Sequence, residues 1–367
     1  MPILKKAIVQ NWRNIELQEL EFSPNINCIC GNNGEGKTNL LDAIYYLSMT
    51  KSAFGASDRF NFRKGTDTFG LSGTYSLENG STARISIQSK SGQDKKVTRD
   101  GKAYPKISAH IGLIPIVMVS PSDTALVSDG GEDRRRFVSG VLSQMDAAHL
   151  SNLQKYQKTL MSRNSLLKSQ RIDDTVLESI DYTLGKLAAD ICSARTAFID
   201  GLRPLVQKYY NELSSGKEDV DIIYKSDMQK GNLADLLARN IERDKLLGYT
   251  GAGAQRDDFI FLMNGDPIRK VGSQGQQKSF LVALKFAQYE LMKGEYGFPP
   301  ILLLDDLFDK LDFQRTENLL QMVSGEDFGQ IFLSDTNKTR LQDIIDKFTV
   351  QSCYYEVKGG IFNNENR

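Results

Sequence analysis

The sequence predicts an α/β protein in which a mixed sheet with flanking helices and a β-rich subdomain is joined to an inserted, mainly helical second lobe. Three observations predict this fold. Residues 25–47 form a strand, a glycine-rich loop and a helix, and an apolar strand ends in two carboxylates, Asp305 and Asp306. Between these segments, residues 132–210 contain few glycines or prolines, which is typical of helix. We therefore assign residues 1–125 and 250–367 to one composite lobe and residues 126–249 to the insertion.

Short strands and turns dominate the N-terminal part. Two strands are expected around the turn Asn11–Asn14, and alternating apolar residues at 69–77 and 83–88 indicate a hairpin. Asp100 and Gly101 mark a further turn, and residues 114–119 form a short apolar strand. These elements supply the β-rich subdomain.

The glycine-rich loop predicts a phosphate site. It consists of Gly31, Asn32, Asn33, Gly34, Glu35, Gly36, Lys37 and Thr38, which fit the pattern G-x-x-x-x-G-K-[ST]. Its glycines let backbone N–H groups surround phosphates at a helix N-terminus. Lys37 would reach the β- and γ-phosphates as a catalytic cation, and the Thr38 hydroxyl would hold Mg²⁺. The loop therefore predicts binding of a nucleoside triphosphate.

Composition excludes several classes. The 367 residues are 40% hydrophobic and 25% charged, and no apolar run approaches the eighteen or so residues of a membrane span. The N-terminus does not resemble a signal peptide, so we expect a cytoplasmic protein without a membrane partner. Four cysteines and two histidines favour core packing over a zinc site. The 46 basic and 46 acidic residues restrict any DNA binding to a local patch.

The inserted lobe is predicted to contain a short coiled-coil-like hairpin. A 3-4 spacing of apolar residues runs from Leu177 to Phe198, and leucines recur every seven residues from Leu153 to Leu167. The polar stretch 169–174 can turn the two runs into an antiparallel pair. An ordinary helical subdomain is the alternative. After Pro204 the pattern predicts shorter mixed elements, followed by a helix at Leu233–Leu247.

The second half of the predicted site lies near the C-terminus. Four aliphatic residues before Asp305 indicate a buried parallel strand, whose carboxyl end is where open α/β sheets bind ligands. Asp305 would hold Mg²⁺ together with Thr38, and Asp306 would orient or deprotonate the attacking water. A helix is predicted at Ser279–Lys293. The segment before it, Ser273–Lys278, is either an ordinary N-cap or a second phosphate-binding element.

The order of these motifs resembles that of ABC-type ATPase heads, a group that includes the SMC proteins. The phosphate loop is followed by a serine motif, then by the strand ending in Asp305 and Asp306, and then by Leu311 and Asp312. In that group the serine motif completes the site of a partner subunit. The resemblance therefore implies that ATP lies between two heads, with a trans-acting signature formed by Ser273, Gln274, Gly275 and Gln276.

Further motifs resemble the RecF family of bacterial recombination and repair proteins along essentially the whole chain. They are Asn11–Asn14, Asn32–Leu47, Ser120–Asp123, Leu126 and Val127, Arg134–Phe137, Arg256–Asp258, Ser273–Lys278, Leu303–Asp306 and Lys310–Asp312. By this resemblance Arg13 joins the nucleotide site. Two positions depart from the family pattern: Gly253–Gln255 replaces Gly-Pro-His, and Phe137–Ser139 replaces Phe-Leu-Asp.

The resemblance implies a function in single-strand gap repair, DNA replication and SOS induction. ATP with Mg²⁺ would drive head-to-head dimerisation on single-stranded or gapped duplex DNA, and a weak, DNA-stimulated ATPase would release it. RecO, RecR and RecA are the implied partners, with RecA loading as the outcome. Asp335 occupies the place where many ABC heads have a histidine, and an ionised acid cannot donate to a γ-phosphate. Asp335 and the short side chain of Asp306 favour slow turnover.

Two other functions remain open from sequence. One is the nucleotide-binding subunit of an ABC transporter, which has no reason to carry the heptads at 177–198. The other is a scaffold that binds ATP without hydrolysing it. For the DNA-binding hypothesis the basic candidates are Lys5, Lys6, Lys95, Lys96 and Arg134–Arg136, each of which could equally be a solvated surface charge.

Overall fold

The computed structural model describes residues 1–55, 57–77, 80–169, 171–214, 216, 218–307, 318, 328–339, 342 and 351–365. In these ranges the helices are α1 (Lys37–Met49), α2 (Ala125–Ser128), α3 (Gly131–Met145), α4 (Ala147–Leu167), α5 (Asp174–Ser214), α6 (Leu233–Leu247), α7 (Ile268–Val271) and α8 (Gln274–Tyr296). The strands are β1 (Ile3–Trp12), β2 (Ile15–Glu21), β3 (Ile26–Cys30), β4 (Thr68–Ser76), β5 (Thr82–Lys90), β6 (Lys96–Arg99), β7 (Lys102–Ala103), β8 (Ile116–Val119), β9 (Val220–Lys225), β10 (Asp258–Met263), β11 (Asp266–Pro267), β12 (Ile301–Asp305), β13 (Ile331–Asp335), β14 (Ser352–Lys358) and β15 (Ile361–Asn364).

A mostly parallel sheet places the predicted site at one edge. Its order is β15-β14-β3-β13-β12-β8, and only β15 pairs antiparallel to its neighbour. All five residues of β3, β12 and β13 are buried, which matches the continuous apolar pattern of strands covered on both faces. Asp335 pairs with Cys30, and Asp305 pairs with Ser334. The carboxyl ends of these strands therefore meet beside the phosphate loop.

Two hydrophobic clusters cover the faces of this sheet. Along β12, Ile301 and Leu303 pack into a cluster with α1 and the antiparallel sheet β2-β1-β4-β5-β6-β7. Leu302 and Leu304 enter the other cluster, which contains α3, α8, the second half of α5 and the small sheet β11-β10-β9. The predicted mixed α/β class with a β-rich subdomain is confirmed.

The helical part contains the predicted antiparallel hairpin. Asn152 on α4 donates to Asp190 on α5 at 3.2 Å, and Arg163 donates to Asp181 at 2.5 Å, so residue numbers rise on one helix as they fall on the other. Apolar residues of α4, α5 and α6 form a third cluster between these helices. Helix α6 has the bounds predicted from its sequence. The division at residues 125 and 250 stays a prediction, because α5 contributes to both the helical cluster and the sheet cluster.

Two boundary predictions were wrong. Pro204 does not end the helix, since α5 continues to Ser214 with Leu202, Val206 and Tyr210 buried around the proline. A proline removes one backbone hydrogen bond, and burial of this apolar face offsets that cost. Helix α8 begins at Gln274, five residues before the predicted start at Ser279, because the polar Gln-Gly-Gln segment already forms its first turn.

Candidate nucleotide site

The phosphate loop connects β3 to α1, and its glycines are required by geometry. Gly34 and Gly36 have φ angles of 82° and 117°, a region that side chains disfavour. A Cβ on Gly31 would lie 2.6 Å from the Val357 carbonyl oxygen, and one on Gly36 would lie 2.9 Å from the Asn14 side chain. The loop therefore passes closely between the β1–β2 turn and β14 before entering α1, where N–H groups of the first turn lack intrahelical acceptors.

Lys37 lies across this loop. Its Nζ donates to the carbonyl oxygens of Gly31 at 2.8 Å and Asn32 at 3.3 Å, and it lies 3.8 Å from Oδ1 of Asp306. The side chain is only 3% exposed. The Lys37 ammonium group is thus held at the loop by two neutral carbonyl oxygens and one carboxylate at a longer distance. Because none of these partners fully neutralises its charge, Lys37 can still bind an anionic group.

Thr38 and Asp305 meet as predicted for a magnesium site. Thr38 Oγ1 lies 3.0 and 2.8 Å from the two carboxylate oxygens of Asp305, and Ser334 Oγ donates to Oδ1 at 2.6 Å. Burial raises the pKa of Asp305, while hydrogen bonds from Ser334 and Thr38 and the charge of Lys37 oppose the rise. A buried carboxylate beside a hydroxyl fits Mg²⁺, which uses one or two protein oxygens together with substrate phosphates.

Within the described ranges, no group of three or more His, Cys, Asp and Glu side chains could hold a metal ion by itself. Metal binding at Thr38 and Asp305 stays a prediction, and phosphate oxygens would have to complete its ligand set.

Asp306 follows β12 in a strained backbone conformation. Its φ angle is 42°, which is uncommon for a residue with a side chain, and its N–H donates to Ser334 Oγ at 3.1 Å. Ser334 thus holds both carboxylate residues, since the same hydroxyl donates to Asp305. Local strain of this kind concentrates at functional sites. The geometry brings Asp306 to the loop beside Lys37, where the sequence placed it.

Three supporting contacts were missed by sequence reasoning. Asn14 Nδ2 donates to the Glu35 carbonyl oxygen at 3.0 Å, and the Gly360 N–H donates to the same oxygen at 2.8 Å. The Gly359 N–H donates to the Glu35 carboxylate. These residues are distant in sequence and carry no loop motif. The only signal was that Asn14 lies in the Asn-Trp-Arg-Asn turn.

Arg13 packs beside α1 rather than across the phosphate loop. Its guanidinium lies 2.6 Å from the buried Asp42 carboxylate and donates to Asn39 Oδ1 at 3.2 Å and to Ser52 Oγ at 3.1 Å. Burial raises the pKa of Asp42, and the positive charge of Arg13 opposes this shift. Arg13 thus ties the β1–β2 turn to the phosphate-loop helix. Its direct contact with a nucleotide stays a prediction.

The serine motif forms the N-terminus of α8. Ser273 Oγ accepts from the Gln276 N–H at 3.3 Å, and Gln276 Oε1 accepts from the Ser273 N–H at 2.7 Å, which is a capping box. Gln276 Nε2 also donates to Glu218 at 2.7 Å. Ser273 and Gln274 are exposed, and Gly275 is half-buried. The N-cap interpretation is confirmed, and the trans-acting role stays a prediction.

The two departures from the family pattern have internal partners. The Tyr156 hydroxyl donates to Gln255, whose amide donates to the Ala252 carbonyl oxygen at 2.8 Å. Ser139 accepts from Arg195 at 3.3 Å. Gln255 therefore lies where α4 packs against the segment before β10, and Ser139 lies where α3 packs against α5.

Two of the basic candidates are structural. Lys95 lies 2.9 Å from Asp58 and also donates to the Tyr46 hydroxyl, and Arg134 lies 2.9 Å from Asp258 with 8% of its side chain exposed. Arg136 stays at the surface with Glu132 and Asp133 as partners. Lys5 is exposed, Lys96 is exposed, and Lys6 pairs with Glu19. A DNA-binding patch cannot rest on Lys95 or Arg134.

Two further predictions concern the C-terminal segment. Asp335 is buried at the end of β13, and its Oδ1 accepts from the Asn337 N–H at 2.8 Å. Asp335 therefore lies at the carboxyl end of β13, beside the end of β3 where the phosphate loop begins. Residues 310–312, with Leu311 and Asp312, lie outside the described residues.

In the part of the chain that the structure describes, no helix has the length and apolar character needed to cross a membrane.

Comparisons with known proteins identify the family and the fold of this chain. Residues 3–353 match the family model described as RecF/RecN/SMC N terminal domain. A DNA replication and repair protein RecF of Phocaeicola vulgatus is 41% identical over 360 residues, covering 98% of this chain and 97% of the relative. The solved structure of the recombination mediator protein RecF-ATP in the RecFOR pathway is 29% identical, with a TM-score of 0.89 over 100% of this chain and 98% of that one.

A more distant structure shares the fold alone. The Smc head domain of Pyrococcus furiosus is 13% identical and gives a TM-score of 0.58 over 99% of this chain and 96% of that one. The fold is therefore that of RecF and SMC ATPase heads. By its family model and by its identity to full-length relatives, this chain belongs to the RecF family of DNA replication and repair proteins.

Proposed function

We propose that this chain binds ATP with Mg²⁺ and that ATP closes two copies of it around DNA during recombinational repair. One observation supports ATP binding above the others. The Thr38 hydroxyl and the buried Asp305 carboxylate lie within 3.0 Å of each other beside Lys37 and the phosphate loop. This arrangement supplies a hydroxyl, a carboxylate and a cation to one phosphate group.

Each residue has a distinct task in the proposed reaction. Lys37 neutralises the β- and γ-phosphates, and the loop N–H groups from Gly31 to Thr38 orient them. Bound Mg²⁺ would withdraw charge from the phosphate oxygens, with Thr38 and Asp305 as its protein ligands. Asp306 accepts a proton from the attacking water or orients it, and its distance of 3.8 Å from Lys37 lets both contact one γ-phosphate.

Dimerisation is proposed through the signature Ser273, Gln274, Gly275 and Gln276. The side-chain hydrogen bonds seen for Ser273 and Gln276 remain within α8 and at Glu218, so none of them reaches the phosphate loop of the same chain. The N-terminus of a 23-residue helix attracts anions, and Ser273 and Gln274 expose it at the surface. A γ-phosphate bound by a second copy is the proposed ligand.

The biological role follows from the family. The solved relative is described as a recombination mediator in the RecFOR pathway. We extend this to loading of RecA with RecO and RecR at single-stranded or gapped duplex DNA in the cytoplasm, and to DNA replication and SOS induction. Hydrolysis is proposed to be slow and stimulated by DNA, because Asp306 is a short acid and Asp335 replaces a donor near the γ-phosphate.

Sedimentation of the full chain tests this proposal. We expect a monomer without nucleotide, a dimer with ATP and Mg²⁺, and a larger complex after addition of gapped DNA. Lys37→Met should weaken ATP binding roughly 10- to 100-fold, because charge-assisted hydrogen bonds to phosphate are lost. Lys225→Met, at the exposed end of β9, is the matched control. A wild-type chain that stays monomeric with ATP and gapped DNA contradicts the clamp.

The scaffold alternative needs a separate experiment. Single-turnover hydrolysis of radiolabelled ATP should show slow phosphate release in the wild type and at least a tenfold slower rate in Asp306→Asn, which lacks a proton acceptor. Absence of phosphate release from both proteins would favour a scaffold that does not hydrolyse ATP. Membership in the RecF family disfavours the transporter subunit.

A further inference from the structure

Two cavities outside the nucleotide site lie between the end of α1 and helices α3 and α4. The larger has a volume of about 610 Å³ and the smaller about 310 Å³. Both are lined by Lys51, Arg136 and Gly140, so the cavities meet at these residues. Together they form one cleft, which we call the α1–α3 cleft. Its size suits a small organic ligand rather than a solvent-filled gap.

The α1–α3 cleft carries Lys51 at the junction of its two cavities, whereas Arg136, Lys285 and Arg195 are already paired with carboxylates. Its lining contains five cations and three carboxylates, which are Lys51, Arg135, Arg136, Arg195 and Lys285 against Asp123, Glu132 and Asp133. All three carboxylates already pair with Lys285 or Arg136. No carboxylate lies within ion-pair distance of Lys51 in the ranges that the structure describes. Lys51 therefore supplies positive charge that the protein itself does not neutralise.

Two further observations indicate an anionic ligand. The pKa of Lys51 is lowered mainly by partial burial and further by the nearby positive charges of Arg136 and Lys95. An anion bound beside Lys51 would oppose this decrease in pKa. Arg195 is 3% exposed, and its Nε–H has no hydrogen-bond partner among the described residues although other N–H groups bind Asp257 and Ala254. Buried polar groups without partners are uncommon and mark sites where a missing acceptor belongs.

The walls on either side of the junction are apolar or aromatic. The smaller cavity contains the partly exposed rings of Tyr45, Phe54 and Phe137. The larger contains aliphatic side chains of α4 interleaved with the amides of Gln154 and Gln157. Aromatic rings stack on nucleobases, amides bind their edges, and cations between them contact a phosphate. A phosphate with a nucleoside on each side matches this order.

We infer that the α1–α3 cleft binds a short single-stranded segment of nucleic acid, with a phosphodiester at Lys51 and Arg136 and one nucleoside in each cavity. The inference rests on the proposed function, because it identifies where a DNA-binding chain holds unpaired nucleotides. A duplex is excluded, since its bases stay stacked inside the helix and cannot enter cavities of these volumes. The site is separate from the phosphate loop and uses none of its residues.

A steric block of the cleft gives the sharpest test. Gly140 faces open space, because a Cβ built on it has no heavy atom within 4 Å. Gly140→Trp should therefore fill the junction without disturbing α3, and Gly140→Ala is the matched control. Fluorescence anisotropy measures affinity for a labelled twelve-residue oligothymidylate and for a blunt duplex of the same length. We expect Gly140→Trp to weaken binding of the single strand roughly tenfold or more, because base stacking is lost.

Affinity of Gly140→Trp for duplex and for ATP should stay at wild-type values, as should all binding by Gly140→Ala. Thermal unfolding of each variant shows whether the chain is folded. If folded Gly140→Trp binds the oligothymidylate as tightly as wild type, the cleft is not the site. A parallel loss of duplex binding would also overturn the inference.

A charge variant tests the phosphodiester contact independently. Lys51→Gln should lower the slope of log affinity against log salt by about 0.7 for the single strand, as expected for loss of one phosphate contact. Lys225→Gln, which lines neither cavity, should leave the slope unchanged. If inorganic phosphate alone binds at Lys51 and a phosphorylated dithymidine does not compete, the cleft holds a simple anion and the inference fails.

The two proposals can fail separately. A wild-type chain that binds no DNA in any nucleotide state contradicts the proposed function. A wild-type chain that binds DNA, together with a folded Gly140→Trp that binds single strands normally, contradicts only the cleft.

Discussion

Two buried aspartates show how the same side chain is held in a functional site and in a structural one. Asp305 is 2% exposed and receives hydrogen bonds from two hydroxyls, Thr38 and Ser334, with no Lys or Arg within ion-pair distance in the described ranges. Asp257 is fully buried and lies 2.5 Å from Arg195, with the Tyr224 hydroxyl 2.6 Å away.

The difference concerns how the negative charge is neutralised. At Asp257 a guanidinium already does so, and the pair connects α5 to the segment before β10. At Asp305 neutral donors orient the carboxylate without cancelling its charge, so a cation from outside has an energetic reason to bind. An unpaired buried carboxylate at a strand end is therefore a stronger sign of function than a paired one.

The largest effect should come from breaking the paired aspartate. Asp257→Ala leaves Arg195 charged and buried without its partner, which typically costs about 3–5 kcal/mol. Urea unfolding measures the free energy, with Lys225→Ala at the surface as the control. The double variant Arg195→Met with Asp257→Leu should recover most of the loss. A loss below about 1 kcal/mol in Asp257→Ala would show that the pair does not stabilise the fold.

A smaller effect is expected at the hydroxyl-held aspartate. Ser334→Ala removes the donor to Asp305 and the acceptor of the Asp306 N–H, and hydrogen bonds to charged groups contribute roughly 1.5–3 kcal/mol. Unfolding by urea should show this cost, and the affinity for ATP with Mg²⁺ should also fall. Ser334→Thr, which keeps the hydroxyl, is the control. If Ser334→Ala unfolds and binds like wild type, Ser334 does not position the two aspartates.

The smallest effect is a pH dependence with a defined sign. Because burial raises the folded-state pKa of Asp305 above its ordinary value of 3.8, the folded chain binds a proton more tightly than the unfolded chain. Stability contributed by this group therefore falls as pH rises from the ordinary value through the raised one. Asp305→Asn should lack this fall, as shown by the difference between the two proteins in urea unfolding at several pH values.

Adding Mg²⁺ and ATP to the same unfolding experiment tests whether Asp305 is a metal ligand. Mg²⁺ with ATP should stabilise the wild type at neutral pH and should stabilise Asp305→Asn much less, because the carboxylate ligand is absent. If the two proteins gain equal stability from Mg²⁺ and ATP, Asp305 is not a metal ligand.

Local patterns predicted much of the fold. The strand before the loop, the helix α6 and the strand ending at Asp305 were all predicted from the sequence and are present in the structure. Pro204 was assigned wrongly because tertiary burial of α5 outweighs local preference. The start of α8 was placed too late, although the capping box of Ser273 and Gln276 is a local signal for a helix start. The sequence cannot show in advance which apolar face will be covered well enough to hold a proline in a helix.

Sequence motifs predicted which residues of the candidate site would lie close together. Lys37, Thr38 and Asp305 converge because a parallel sheet places the ends of β3 and β12 at one edge. Asn14, Ser334 and Gly360 hold the same loop and carboxylates, but their hydrogen-bond partners lie up to 325 positions away or in a strand of ordinary composition. Such contacts depend on strand register, which sequence pattern alone does not determine.

Helix α5 has a consequence for how the protein unfolds. It spans 41 residues, or about 60 Å at 1.5 Å per residue. Leu184 and Ile191 belong to the cluster of the helical hairpin, and Leu202 and Tyr210 belong to the cluster beneath the parallel sheet. Melting either end would expose apolar surface of the cluster at that end, and because one continuous helix joins the two clusters we expect the hairpin and the sheet to unfold as one cooperative unit. Amide hydrogen exchange should accordingly give a single opening free energy along α5. A substitution that stabilises or destabilises one lobe would then change the stability of the other lobe as well.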